Sequence, residues 1–121
     1  MTLEDYQKKA IGTCIPTSNN FSYMFLNLVG EVGEFASKVA KFIRKDKAVI
    51  ERNHFITESG TLFVSDEELA ELNKEAGDVL WQLSGLCSVM GWSLEEVAQQ
   101  NLDKLASRQK RNVIDGNGDN R

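Results

Sequence analysis

An acidic pair lies on the apolar face of a segment with helical periodicity. Glu31 follows Leu28 by three residues and precedes Phe35 by four. On a helix these three side chains are neighbours, because residues three and four apart share a face. Glu34 lies about one turn further along. The spacing therefore predicts an acid-x-x-acid pair on, or beside, a face that should be buried.

A second acidic pair repeats the arrangement later in the chain. Glu75 follows Leu72 by three residues and precedes Val79 by four, and Asp78 lies about one turn on. Two helices would then each present two carboxylates beside an apolar face. The basic residues Lys38 and Lys74 are near these pairs in sequence, but their length and charge favour a position in solvent.

Two interpretations of the four acids are open on residue type and spacing alone. Buried carboxylates are costly unless they are paired or bind a metal ion, and a cage of oxygen ligands suits hard cations such as Mg²⁺ or Mn²⁺. Such an ion keeps positions for water and phosphate oxygens, as hydrolysis at phosphorus requires. The alternative is a solvated helix face, where glutamate is common.

Helices dominate the predicted structure. The only proline is Pro16, and apolar residues recur at helical spacing over three long segments. Thr2 with Asp5 predicts a helix start, and Gly12 predicts its end. Ser-x-x-Glu capping boxes begin two later helices. The long helices are expected over residues 21–44, 66–90 and 94–110.

The segment 46–64 differs from the rest. It contains short β-prone runs around Ser59-Gly60, so a small hairpin and a mobile loop are both open. The predicted fold is all-α: a single domain over residues 1–121, built as a four-helix-type bundle with an inserted loop or small hairpin at 46–64. If the apolar faces of a chain of only 121 residues exceed what one short bundle can cover, oligomerisation completes the bundle.

Composition excludes several classes of protein. The formal net charge of −4 argues against a nucleic-acid partner, which would require a basic surface. No apolar run reaches membrane-spanning length and no signal peptide is visible, so the expected compartment is the cytoplasm. Cys14 and Cys87 are far apart and form no metal-binding motif; Cys87 is expected in the core.

The motifs together resemble the MazG-like nucleotide pyrophosphohydrolases, an all-α family. The resemblance rests on GEVGE at 30–34 and KEAGDVLW at 74–81, and extends into NLDKL at 101–105, Arg108 and GNGDNR at 116–121. It implies hydrolysis of a (deoxy)nucleoside triphosphate to the monophosphate and pyrophosphate, with Mg²⁺ as the cofactor and Mn²⁺ as a substitute. It also implies a homodimer or homotetramer.

The resemblance assigns roles to particular residues. Metal ligands would be Glu31, Glu34, Glu75 and Asp78. One carboxylate of the first pair would act as the general base. Lys104 and Arg108 would contact the phosphates, with Asn101 as a polar partner. For the two basic residues a solvated helix face is the alternative. Trp81, three residues after Asp78, is the aromatic residue best placed to stack on a base, and a core position is its alternative.

Several points stay open at this stage. The insert makes the gap between the acid pairs longer than is usual in the family, and Gly30 stands where some members carry a further glutamate. The number of metal ions is therefore open. Related enzymes act on dCTP, dUTP or phosphoribosyl-ATP, and a non-catalytic helical dimer is a further alternative. Glycine within a helix is destabilising, so Gly30 and Gly33 require an explanation. Close helix packing and the close approach of a phosphate are the two alternatives.

Overall fold

Four α-helices carry most of the chain. The computed structural model describes residues 1–60 and 62–121. In chain order these residues form α1 (Leu3–Ile11), a 3-10 turn (Pro16–Ser18), α2 (Phe21–Arg44), β1 (Val49–Glu51), β2 (His54–Ile56), β3 (Glu58–Ser59), β4 (Leu62–Phe63), α3 (Asp66–Val89) and α4 (Leu94–Lys110). The all-α prediction is confirmed. None of the helices in this described part is long and apolar enough to cross a membrane.

The helix ends follow the capping signals in the sequence. Thr2 and Asp5 form both hydrogen bonds of a capping box, as do Ser65 and Glu68. At α4, Ser93 accepts a hydrogen bond from the backbone N–H of the residue three positions on, over 3.2 Å. Helix α3 ends before Gly91, which has a φ of 71°, a left-handed conformation that glycine adopts without steric cost.

The insert between α2 and α3 forms two small antiparallel hairpins. Strand β1 pairs with β2, and β3 pairs with β4. The second hairpin turns at Gly60, as predicted, and Thr61 of that prediction lies outside the described residues. The first hairpin was not predicted. Its turn is Arg52-Asn53, both with positive φ, and asparagine is among the residues that tolerate this conformation best.

The strongest helix packing is between α2 and α3, while α1 packs on both α3 and α4. Where the insert joins the helices, a small core is formed by Phe42, Ala48, Val64 and Leu72. Elsewhere, Met24 on α2 and Cys87 on α3 are buried. The prediction that Cys87 is a core residue is therefore confirmed.

Much of the predicted apolar face of α2 is exposed within one chain. The apolar residues at helical spacing are Leu28, Val32, Phe35, Val39 and Phe42. Of these, Val32 and Phe35 are exposed, and elsewhere on the helix Leu26 and Val29 are exposed too. The predicted stripe left open whether one chain or an oligomer covers it, and within one chain Val32 and Phe35 are not covered. The reason is geometric, since α3 covers only one side of α2 and α4 packs on α1 and α3 instead.

Candidate metal centre

Three of the predicted acids meet where α2 faces α3. Glu31, Glu34 and Glu75 each place a carboxylate oxygen within 4.8 Å of the others. They differ in exposure: Glu75 is buried, Glu31 is half-buried and Glu34 is exposed. The cluster therefore has a closed end at α3 and an open end at Glu34, through which a ligand can approach.

Burial and mutual repulsion act on the cluster. Loss of water around Glu31 raises the pKa of its carboxyl, and the charge of Glu34 raises it further. A hydrogen bond from Asn27 opposes this rise. The raised pKa of Glu31 indicates that its charged form lacks stabilising partners. A cation bound at the cluster would supply that stabilisation.

Asp78 lies beside the cluster but outside the group of three. Its charge contributes to the raised pKa of Glu31 and, after burial, to the raised pKa of the Tyr6 hydroxyl. The Asp78 carboxylate therefore acts electrostatically on both groups. The side chain is exposed, so its role as a fourth metal ligand stays a prediction.

Lys38 places a positive charge at the cluster, although the sequence favoured a solvated position for this side chain. Its ammonium lies 2.7 Å from a carboxylate oxygen of Glu75, and this contact raises the pKa of Lys38. Lys38 follows Glu34 by four residues, so it lies on the same side of α2. The expectation of a solvated Lys38 was wrong because a buried carboxylate on α3 attracts it. Lys74 does lie at the surface, paired with Glu71.

Asn27 and Gln82 hold the cluster from the opposite direction. The amide of Asn27 donates to Glu31 over 3.0 Å and to Gln82 over 2.9 Å. Sequence analysis missed both residues. A signal exists: Asn27 precedes Glu31 by four residues and Gln82 follows Asp78 by four. On each helix the polar side chains therefore continue the acidic face at helical spacing.

The glycines of α2 are not explained by packing within one chain. A β-carbon added at Gly33 would meet nothing within 4 Å, and one at Gly30 would meet only an oxygen of Asn27, at 3.3 Å. Both positions are exposed. Of the two reasons considered for these residues, close packing against another helix of the same chain is thus excluded at Gly33 among the described residues.

The predicted phosphate-binding residues form a separate basic site on α4. Lys104 and Arg108 both contact the carboxylate of Asp119, over 3.3 and 3.0 Å, and Arg108 is 5% exposed. Asn101 is exposed on the same helix face, beside Lys104 in a shallow groove. The structure thus brings Asn101, Lys104 and Arg108 together, and the C-terminal segment folds back over them.

Trp81 uses its polar atom to hold the end of α1. The indole N–H donates to the carbonyl of Ala10 over 3.2 Å and to the hydroxyl of Thr13 over 3.0 Å. The ring is half-buried. Through these two hydrogen bonds Trp81 links α3 to the end of α1. Its stacking on a substrate base stays a prediction.

Two packed helices that present acid-x-x-acid pairs to one another define a helical protein with a candidate divalent-metal site. Comparison with known proteins is consistent with this description. The family model of the MazG nucleotide pyrophosphohydrolase domain matches residues 19–113, a range that includes all the residues of the carboxylate cluster. The chain belongs to the MazG family.

A relative from a bacteriophage matches the whole chain. It is the "Gene 37 protein" of Mycobacterium phage L5, 36% identical over 128 residues, and the match covers 100% of both chains. Its printed name states no activity. No solved structure matches the chain.

Proposed function

We propose that the protein is a Mg²⁺-dependent pyrophosphohydrolase that converts a (deoxy)nucleoside triphosphate and water into the monophosphate and pyrophosphate. The observation that carries the proposal is the meeting of Glu31, Glu34 and Glu75 within 4.8 Å in a chain of the MazG family. Control of the nucleotide pool by removal of unwanted triphosphates is the biological role that we favour.

The carboxylate cluster fits a hard divalent cation. Its donor atoms are all oxygens, the set that Mg²⁺ and Mn²⁺ prefer. Two oxygens bound to one Mg²⁺ at about 2.1 Å lie at most about 4.2 Å apart, so the side chains need to close only slightly. Bound there, Mg²⁺ would polarise phosphate oxygens and acidify water, the chemistry on which phosphoryl hydrolysis depends.

The chain's own residues would then position water and substrate. Asn27 fixes Glu31 at the closed side, while the exposed Glu34 is accessible to solvent. One carboxylate of this pair would accept a proton from the attacking water. The new bond joins the water oxygen to the α-phosphorus, and the bond to the bridging oxygen breaks, so that pyrophosphate leaves. Asp78 would add a fourth carboxylate.

Positive charge for the phosphates would come from α4. Lys104 and Arg108 already bind a carboxylate, that of Asp119, and phosphate oxygens are strong acceptors for the same groups. Developing charge at phosphorus needs such cations. Asn101 would be their polar neighbour.

We also propose that the protein forms a homodimer, or a homotetramer built from dimers. Its accessible surface is 8794 Å², whereas a compact monomer of 13.6 kDa should expose roughly 6,600 Å². The excess, roughly 2,200 Å² per chain or about 4,400 Å² for two chains, lies within the range of total area that obligate homodimers bury. A second copy that covers the apolar face of α2 would also supply the reason for Gly30 and Gly33, because glycine permits close helix contact.

The decisive experiment measures the products from a panel of dNTPs and NTPs with Mg²⁺, with Mn²⁺ and with EDTA. We expect pyrophosphate and the monophosphate in equal amounts, with none in EDTA. Cleavage of only dCTP, dUTP or phosphoribosyl-ATP would identify a dedicated enzyme of the same class. Binding of Mn²⁺ without turnover of any substrate would contradict the proposal and identify a non-catalytic helical protein.

A further inference from the structure

Lys38 is the basic residue that faces the carboxylate cluster. Its ammonium is 2.7 Å from a carboxylate oxygen of Glu75, and the two side chains are 38% and 10% exposed. In the described ranges 1–60 and 62–121, no second basic side chain lies within 4.0 Å of Glu31, Glu34 or Glu75. A single ammonium thus offsets three neighbouring carboxylates.

We propose that Lys38 is the internal counter-cation of this cluster and sets its affinity for divalent metal. In the metal-free protein the ammonium occupies the cation position at Glu75, and it must leave before a divalent ion can use that carboxylate. The inference rests on the proposed metal site, and adds to it a residue that competes with the metal.

The competition follows from charge and contact distance. At 2.7 Å the ammonium is in direct contact with Glu75, so a divalent ion on the same oxygen would lie against it. Two cations in contact with the same carboxylate oxygen repel strongly in a partly buried site. Occupation by metal and by Lys38 is therefore mutually exclusive.

The structure also offers the displaced side chain a place to go. Lys38 lines an open groove of about 200 Å³ with Lys41, Phe42 and Lys45. The aliphatic part of the lysine can stay on Phe42 while the ammonium turns to solvent, as long basic side chains commonly do. The two glutamates of this groove, Glu68 and Glu71, are already paired with lysines, so they compete weakly for Lys38.

Displacement lowers the apparent metal affinity in a defined way. When a site is competent only for a fraction of the time, the apparent dissociation constant rises by the inverse of that fraction. Removal of the competing ammonium should therefore tighten metal binding. The metal-free protein should lose stability in return, because the three carboxylates then have no counter-charge.

The test is Mn²⁺ binding followed by electron paramagnetic resonance, with wild type, Lys38→Met and Lys41→Met. Lys41→Met is the matched control, since it removes the same charge from the same groove. We expect Lys38→Met to bind Mn²⁺ roughly tenfold more tightly than wild type, and Lys41→Met to shift the affinity much less. In EDTA, Lys38→Met should melt below wild type, and saturating Mn²⁺ should remove most of that difference.

Each other outcome contradicts a separate part of the argument. Equal or weaker Mn²⁺ binding by Lys38→Met overturns the counter-cation role while the metal site stands. An equal gain in both variants overturns it too, because the effect would then be long-range electrostatics. If wild type binds no Mn²⁺, the proposed metal site fails and this inference fails with it. Lys38→Gln, with the same expected result, replaces Lys38→Met if that variant does not fold.

Discussion

The side-chain amide of Asn27 on α2 donates a hydrogen bond to the side-chain oxygen of Gln82 on α3 over 2.9 Å. The same amide nitrogen donates to Glu31 over 3.0 Å. Gln82 is 1% exposed, so its oxygen depends on protein donors. One polar contact therefore joins the packing of the two longest helices to the orientation of a carboxylate in the cluster.

Asn27→Ala should destabilise the protein by about 1–3 kcal/mol, because it leaves a buried oxygen of Gln82 without its donor. It should also weaken Mn²⁺ binding, since Glu31 loses the group that orients it. Urea unfolding and Mn²⁺ titration measure the two effects. Asn73→Ala, at an exposed position of α3, is the control. Equal stability of the two variants would show that the Asn27–Gln82 contact contributes nothing.

The acidic pairs could be found from sequence because helical spacing fixes which residues share a face. That rule also predicted the long helices and placed Glu31 beside Glu34 on one helix and Glu75 beside Asp78 on another. It gave no partner for any of them, because partners across two helices depend on rotation and offset, which spacing within one helix does not determine. Lys38 and Gln82 illustrate this limit, as each meets its partner on the other helix.

Glu75→Gln should reduce kcat/KM by about 100-fold or more, because loss of a metal ligand costs at least as much as loss of a group that supports one. Glutamine keeps the volume of the buried side chain. In EDTA the melting temperature should change little, since the lost pair with Lys38 is offset by weaker repulsion among the acids. Activity and thermal melting are measured together.

Glu71→Gln is the matched control for this substitution. Glu71 lies one turn before Glu75 on α3 and pairs with Lys74 at the surface. Its removal should leave turnover close to that of wild type. A Glu75→Gln variant with wild-type activity would refute the assignment of Glu75 as a ligand, whatever Glu71→Gln does.

The raised pKa of Glu31 predicts a pH-dependent stability in EDTA. Burial is the main cause, followed by the charge of Glu34. An acid whose pKa is higher in the folded state stabilises the fold while protonated, and loses this contribution as pH rises through the folded pKa. Above the folded pKa the contribution is gone. Glu31→Gln mimics the protonated form, so it should be more stable than wild type at pH 7, and the difference should vanish at acid pH.

Glu68 provides a control of opposite sign. Its hydrogen bond with Lys47, the largest cause, lowers its pKa, so its contribution is present above the unfolded pKa and is lost as pH falls through the folded pKa. Glu68→Gln should therefore be less stable than wild type at pH 7, and the difference should close in acid. Thermal melts between pH 3 and pH 8 (about the range in which carboxyls titrate) compare all three proteins. A Glu31→Gln variant that is less stable than wild type at pH 7 would contradict the prediction.

The core illustrates a second limit of sequence analysis. Val32 and Phe42 follow the same helical pattern, yet Phe42 is buried by the base of the insert and Val32 is exposed. An apolar pattern predicts that a helix face is buried. It does not distinguish burial by the same chain from burial by a second chain. The stripe on α2 was predicted as an apolar face, and the sequence did not say which of its residues the same chain would cover.

An exposed apolar residue elsewhere on α2 gives the last prediction. Leu26 is 67% exposed, so Leu26→Asp should leave the fold of a single chain nearly unaffected. At a dimer interface the same change would bury an unpaired charge, which costs several kcal/mol. We expect the dimer to dissociate at concentrations where wild type is fully associated, measured by light scattering after size-exclusion chromatography, with activity lost in parallel if the partner completes the site.

Ile15→Asp is the matched control. Ile15 is 62% exposed and lies before the 3-10 turn, away from the apolar stripe of α2. The Ile15→Asp variant should therefore have the same molecular mass in solution and the same activity as wild type. If Leu26→Asp and Ile15→Asp both keep the mass of a wild-type dimer, the dimer uses another surface. If wild type itself is a monomer at micromolar concentration, the excess accessible surface belongs to the insert and the C-terminal segment, and the glycines of α2 must be explained by the approach of the substrate.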